Sequence, residues 1–277
     1  MNQKYTTFLL ILFLSFGTFV FGQKEIVILH TNDSHSRIEP VPETDKTHPD
    51  KGGVIRRMNF VEQMRKEKEN VLLLDAGDFL QGTPYFNLFK GEVEIEAMNL
   101  LGYNAATLGN HEFDYGMEVL ENVVRKADFP ILSSNYDFSD TPLHGLIHPY
   151  TIVNKDGLRI GILALGINPK GLIATDNYKG MKFLAPLETA NNIAAQLKNQ
   201  KKCDFVICLS HLGYEADMRL APQTKNIDII IGGHSHWHME KPSVVKNIDN
   251  KDVTIFQTAG RGVVVGQINV ELEKVKK

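Results

Sequence analysis

The chain has 277 residues, 43% of them hydrophobic, 23% charged and 9% aromatic. That is the composition of a globular protein able to bury a core, and it excludes a disordered or fibrous chain. Lys and Arg number 30 against 33 Asp and Glu, a formal net charge of −3, so no basic surplus points to nucleic-acid backbones or anionic membranes.

Residues 1–22 read as a signal peptide. Lys4 is followed by the nearly unbroken apolar run 8–21, and Val20 and Gly22 put small residues before a cut. The run falls short of the ~20 apolar residues that a spanning helix needs. The mature chain is expected to begin near Gln23 and to form one domain over residues 23–277, in a periplasmic or extracellular fluid. No Cys stands near the cut to carry a lipid. The only cysteines, Cys203 and Cys208, share one apolar run. As strand residues they would point to opposite faces, and five steps of about 3.3 Å put them beyond disulfide reach. Both read as small core residues.

After residue 23, runs at 26–29, 71–74, 160–165, 205–209 and 227–231 are rich in Val, Ile and Leu on both parities, the mark of strands covered on both faces. Between them, 54–69, 92–101, 117–127 and 187–198 carry helical periodicity, the last with Ala190, Ile193, Ala194 and Leu197 on one stripe. Segments 254–258 and 263–271 read as strands around a Gly260-Arg261-Gly262 turn. The alternation predicts an α/β fold.

Polar residues collect where these strands end. The first strand runs into His30-Thr31-Asn32-Asp33-Ser34-His35, the second into Asp75-Ala76-Gly77-Asp78, and the short run 105–108 into Gly109-Asn110-His111-Glu112-Phe113-Asp114. Two more end in Ser210-His211-Leu212-Gly213 and Gly232-Gly233-His234-Ser235-His236. Ligands of open α/β sheets bind beyond the carboxyl ends of the strands, so these clusters are predicted to converge. If the strands continue regularly, Asp33 with His35, and His234 with His236, project the same way and each pair can chelate. With Asp78, Asn110 and His211 they make a mixed nitrogen and oxygen set that suits Zn, Mn or Fe better than Ca. Seven ligands exceed one ion and match two, about 3.5–4 Å apart, sharing one carboxylate.

These blocks resemble the calcineurin-like metallophosphoesterases, and within them the 5'-nucleotidase branch. The resemblance rests on Leu29 to His35, Asp75-Ala76-Gly77-Asp78 with Gln81-Gly82-Thr83-Pro84, Gly109 to Gly116, Ser210 to Gly213 and Ile231 to His236. The added Phe113-Asp114-Tyr115-Gly116 favours the nucleotidase branch. It covers essentially the whole chain after residue 22 and implies a four-layer α/β/β/α sandwich with a dimetal site at its edge. It also implies that Asp33, His35, Asp78 and His236 bind one divalent ion and Asp78, Asn110, His211 and His234 the other, with Asp78 shared. Asn110 would also touch a phosphate oxygen, His111 would be the catalytic imidazole, and Asp114 its orienting carboxylate.

The activity so implied is hydrolysis of nucleoside phosphates to nucleoside and phosphate by a metal-activated water. Two alternatives use the same ions: a 2',3'-cyclic-nucleotide phosphodiesterase or a nucleotide-sugar pyrophosphohydrolase. A third, from another class, is a noncatalytic subunit pairing with a separate nucleotide-binding chain. The family's second domain, which reads the base, is expected to be absent from this sequence, so a separately encoded nucleotide-binding domain is an expected partner. His30 reads as a structural strand-end residue, and His48, His144, His148 and His238 as loop or surface histidines. Arg37, Arg56, Arg57 and Arg261 read as solvated, and Trp237 and the segment 79–89 as core.

Overall fold

A computed structural model of the chain describes residues 24–272, and the predicted signal peptide lies outside them. In chain order the elements are β1 (Lys24–Thr31), α1 (Val54–Glu67), β2 (Val71–Asp75), α2 (Pro84–Phe89), α3 (Glu92–Leu101), β3 (Ala105–Thr107) and α4 (Gly116–Lys126). There follow β4 (Ile131–Leu132), β5 (Tyr136–Asp137), β6 (Tyr150–Lys155), β7 (Leu158–Leu165), β8 (Lys182–Phe183), α5 (Pro186–Ala195), β9 (Phe205–Ser210) and α6 (Tyr214–Leu220). The chain continues with β10 (Ile229–Gly232), β11 (Ser243–Lys246), β12 (Asp252–Gln257) and β13 (Gly266–Leu272).

Two sheets carry the fold. One has the order β13-β1-β2-β3-β4, with β13 antiparallel to β1 and the remaining pairs parallel. The other runs β11-β12-β10-β9-β7-β6, with a parallel centre and an antiparallel strand at each edge. Period-2 alternation sends Ile26, Ile28, Leu72 and Leu74 of the first sheet to one face, where they meet Ile160, Ile162, Ile207, Leu209 and Ile231 of the second in one core. The opposite parity, Val27, Leu29 and Leu73, packs under α1, α3 and α4. On the second sheet Leu163, Val206, Cys208 and Ile230 pack under Ala190, Ala194 and Leu220 of the helices. The layers are therefore α/β/β/α, and the doubly apolar strands are the ones covered on both faces.

Local chemistry sets the element ends. Two left-handed glycines, Gly91 and Gly102, bracket α3, and Glu92 and Glu94 lie in its first turn, where a carboxylate opposes the helix dipole. Thr83 caps α2 by accepting the N–H of Tyr85 at 3.3 Å, with Pro84 at the first position. Cys203 precedes β9, so strand parity does not govern it. Both cysteines are unpaired, buried and in the same outer core, rather than on opposite faces. His30 is buried edge-on against the Phe256 ring at 6.1 Å, and burial lowers its imidazole to about 4. It is a neutral core residue and joins none of the metal-competent clusters. Among the described residues no helix is long and apolar enough to cross a membrane.

Candidate metal centre

The parallel strands of both sheets end at one edge, and the five polar clusters meet there. Donor atoms of Asp33, His35 and His236 lie within 4.8 Å of one another, as do those of Asp78, His211 and His234. A third group of the same tightness joins Asp78 to His35 and His111, so Asp78 stands between the first two. Asn110 adjoins the second group, its Oδ1 3.0 Å from His234 Nδ1. Every residue of the predicted ligand set is therefore at this edge. His234 and His236, however, fall in different groups and are not a chelating pair.

The backbone reason also differs from strand alternation. Asp33, His35, Asp78, His234 and His236 all lie beyond the strand ends with φ between 48° and 71°. Non-glycine side chains in this left-handed region are strained, and such strain persists where the surroundings over-determine it. Here the surroundings are hydrogen bonds. Asp33 N donates to Gly77 O at 2.8 Å and His35 N to Asp78 O at 3.0 Å, which zips the first loop to the second. The N–H of His234 reaches both carboxylate oxygens of Asp33 at 3.0 Å, and His111 N donates to Asp78 Oδ1 at 2.9 Å. Gly109 allows the closest approach: a β-carbon there would strike Asp78 Oδ1 and His211 Nε2.

The floor of the site is buried and the rim is open. Asp33, Asp78 and His211 are buried, whereas His35, His111 and His234 are half-buried and His236 is exposed. Two buried carboxylates without cations would be costly. His211 donates Nδ1–H to Ala76 O at 2.6 Å, leaving Nε2 3.1 Å from Asp78 Oδ2. Burial opposes charge on both partners, yet their mutual attraction wins: the His211 imidazole is raised to about 10 and the Asp78 carboxyl is held well below the usual range. The Nε2 atoms of His35 and His236 face each other at 2.9 Å, and His236 Nε2 lies 3.3 Å from Asp33 Oδ1. Converging ring nitrogens and carboxylate oxygens, with His211 Nε2 and His35 Nδ1 lacking a hydrogen-bond partner, form a donor set that fits two first-row divalent ions.

His111 differs from its neighbours. Its Nδ1 lies 2.8 Å from Asp114 Oδ2, and this hydrogen bond, partly opposed by burial, raises the imidazole above its ordinary value. The carboxylate thus fixes the ring and favours imidazolium.

Sequence reasoning missed the residues that hold the ligand loops. Glu112, fully buried, accepts the backbone N–H of Asp78 at 3.0 Å, Leu80 at 3.0 Å and Gly109 at 2.6 Å. Burial, with the nearby Asp78 charge, pushes its carboxyl up to about 8. Asn32 plays the same part for Asp33, donating to Oδ2 at 2.5 Å while its own Oδ1 takes Thr258 N and Oγ1. Ser36 ties the His35 loop to Glu94 and, at 2.7 Å, to Thr83. The signal for Glu112 was its place inside a ligand block at a buried turn. Glu112→Ala would leave three buried N–H groups without acceptors, at about 1–3 kcal/mol each before relaxation. Thermal denaturation in chelator should show the midpoint lowered by roughly 6–12 °C. A shift within error would mean that Glu112 does not hold the loops.

Three further readings change. Trp237 is 56% exposed and stacks on Tyr214, centroids 5.6 Å apart and planes 6° off parallel, so it is not core. Phe79 and Phe86 are core, but Leu88 and Phe89 are exposed. Arg57 is buried rather than solvated, while Arg56 stays an exposed partner of Asp50.

The chain matches the family model for calcineurin-like phosphoesterase over residues 26–238. It is 33% identical over 269 residues to a snake venom 5'-nucleotidase of Crotalus adamanteus, covering 90% of this chain and 45% of that protein. Among solved structures it is similar to a 5'-nucleotidase precursor from Thermus thermophilus, with 36% identity and a TM-score of 0.84 over 89% of this chain and 51% of that one. It is also similar to the NAD nucleotidase of Haemophilus influenzae, with 33% identity and a TM-score of 0.82 over 90% and 53% of the two chains. The chain thus spans about half the length of these relatives. Strand-end clusters meeting at one edge of an α/β/β/α sandwich, and a family match that runs through them, give one conclusion: the chain belongs to the calcineurin-like phosphoesterase family.

Proposed function

We propose that the protein is an exported dimetal phosphoesterase that hydrolyses nucleoside 5'-phosphates to nucleoside and phosphate. The observation that carries this reading is the position of Asp78, whose carboxylate lies within 4.8 Å of His211 and His234 in one donor group and of His35 in the other. In this reading Asp33, His35 and His236 hold one ion and Asn110, His211 and His234 the other, with the Asp78 carboxylate shared. When bound, the ions would neutralise phosphoryl charge and bring the pKa of water toward neutrality. Relatives named 5'-nucleotidase support the substrate class, and the charged and apolar pattern of residues 1–22 supports export.

The chain's own side chains do the rest. Asn110 turns Oδ1 toward His234, which leaves Nδ2 as a donor for a phosphoryl oxygen. His111, its Nδ1–H held by Asp114, presents Nε2–H to the phosphoryl group or the departing oxygen and stabilises the charge that develops there. No side-chain nucleophile is required.

The test is hydrolysis by the metal-reconstituted protein across nucleoside mono-, di- and cyclic phosphates and an aryl phosphate. Release of inorganic phosphate from nucleoside 5'-monophosphates, lost in chelator and restored by Mn or Zn, is the expected outcome. Cleavage of cyclic nucleotides alone would move the protein to the diesterase reading, and no cleavage by a chain holding two ions would defeat the proposal.

A further inference from the structure

A small cavity of about 10 Å³, room for one water-sized molecule, lies behind the loop that carries Asp33 and His35. Ser34 and Ser36 of that loop line it, with Arg57 of α1 and Glu94 of α3, and Phe79 and Met98 supply apolar wall. Arg57 is 6% exposed and Glu94 3%. Even so, Arg57 Nε and Nη2 and Glu94 Oε2 have no hydrogen-bond partner among the described residues. Buried polar atoms are costly when unpaired, and three of them around one cavity point to a ligand that pairs them.

Both side chains back the parts that carry the first donor group. Ser36 is fixed at three atoms: Oγ donates to Glu94 Oε1, N donates to Phe79 O at 3.0 Å, and O accepts Thr83 Oγ1 at 2.9 Å. These bonds hold His35 and Ser36 as consecutive left-handed residues, with φ 48° and 55°, a conformation that relaxes unless it is pinned. Arg57 packs on the other side, where a β-carbon on Gly262 would strike Nη2 and come within 3.6 Å of Ser34 Cβ. Gly262 closes the turn in which Arg261 N donates to Asp33 O at 2.6 Å. In the same turn Gly260 lies against the His236 ring, where a β-carbon would meet Nδ1 at 2.8 Å. Arg57 and Glu94 thus stand behind Asp33, His35 and His236, whereas Asn110 and His211 follow β3 and β9.

We propose that one buried water bridges Arg57 and Glu94, and that the bridge makes these two side chains positioning residues for the first metal ion. Water suits both walls: it accepts from the Nε and Nη2 edge of the guanidinium and donates to Glu94 Oε2. An anion would face the Glu94 carboxylate and a cation would face the guanidinium, so the ligand is a neutral molecule that both donates and accepts. The role given to the bridge rests on the dimetal reading. With the bridge broken, the pinned loop relaxes and the first ion loses prearranged donors, while the second keeps Asp78, Asn110, His211 and His234.

The test is calorimetric titration of the full chain with Mn, with anomalous diffraction to show which position fills. Glu94→Gln keeps an oxygen for Ser36 and turns the other acceptor into a donor, and Arg57→Met keeps the packed stem and removes the fork. Each should weaken one Mn roughly 10- to 100-fold, fade the anomalous peak beside His236, and leave the other ion within about 3-fold. Both variants break one bridge, so the double variant should cost no more than the larger single loss. Arg57→Lys, which still donates to the water, should lose less than Arg57→Met. High-resolution diffraction from the unsubstituted chain should show a water within about 3.2 Å of both side chains, and this decides the bridge even if Arg57→Met fails to fold. No water there, losses that add in the double variant, or equal weakening of both ions overturns the proposal. An unsubstituted chain that holds fewer than two Mn defeats the dimetal reading and the positioning role with it, whereas the water peak still decides the bridge.

Discussion

His111→Ala is expected to bind two ions per chain and to lose roughly 10²- to 10⁴-fold in kcat, the range supplied by a positioned general acid. The expectation is not trivial, because the ring lies within 4.8 Å of His35 and Asp78 and has the reach of a ligand. What sets it apart is Asp114: the 2.8 Å contact occupies Nδ1 with a carboxylate that belongs to no donor group, whereas the ring nitrogens of His35 and His236 converge. A ring whose Nδ1 is held by a carboxylate outside the donor groups is oriented to serve a developing negative charge. Metal analysis and turnover on one preparation separate the roles. Loss of one ion from the variant would make His111 a ligand and leave the reaction without its acid. Asp114→Asn should cost less in turnover and move the alkaline limb of the pH profile to lower pH. Its carboxylate is the largest contribution to the raised imidazole, so without it His111 loses its proton sooner as pH rises.

Asp78→Asn should lower kcat by about 10³-fold or more, with at most one ion retained, because Asp78 belongs to the donor group of His211 and His234, also lies within 4.8 Å of His35 in the other group, and its charge would serve two cations. An amide keeps the shape and can still accept His111 N–H, so the loss reports on charge rather than folding. The variant removes the buried carboxylate facing His211 Nε2 at 3.1 Å. His211 should then become neutral, so the metal-free protein remains folded. Circular dichroism in chelator checks that point, and a fully active Asn variant would refute the shared-carboxylate arrangement.

The edge at which these residues meet was legible because each apolar strand ends in a polar cluster, and parallel strands put their carboxyl ends on one side. Helix α3 was legible to the residue because glycines bracket it. The short elements α2 and α6 were not, since fewer than two or three turns leave little periodicity to read. The edge strands β6 and β11 were also missed, because half-exposed strands mix Lys, Asn, Ser and Thr with their apolar residues. Strand alternation put Asp33 and His35 together, as one donor group does, but for the wrong reason, since both sit in left-handed turns. It failed for His234 and His236, which serve different groups. Trp237 was misplaced because hydrophobicity carries no information about a loop tip, and Glu112 because a carboxylate that binds only backbone leaves no charged partner in the sequence.

The arrangement of the cations themselves is the most direct measurement. Crystals of the full chain grown with Mn should give two anomalous peaks about 3.5–4 Å apart, with one Asp78 oxygen or the pair of them between the peaks. A single peak, or two peaks that Asp78 does not touch, would contradict the account.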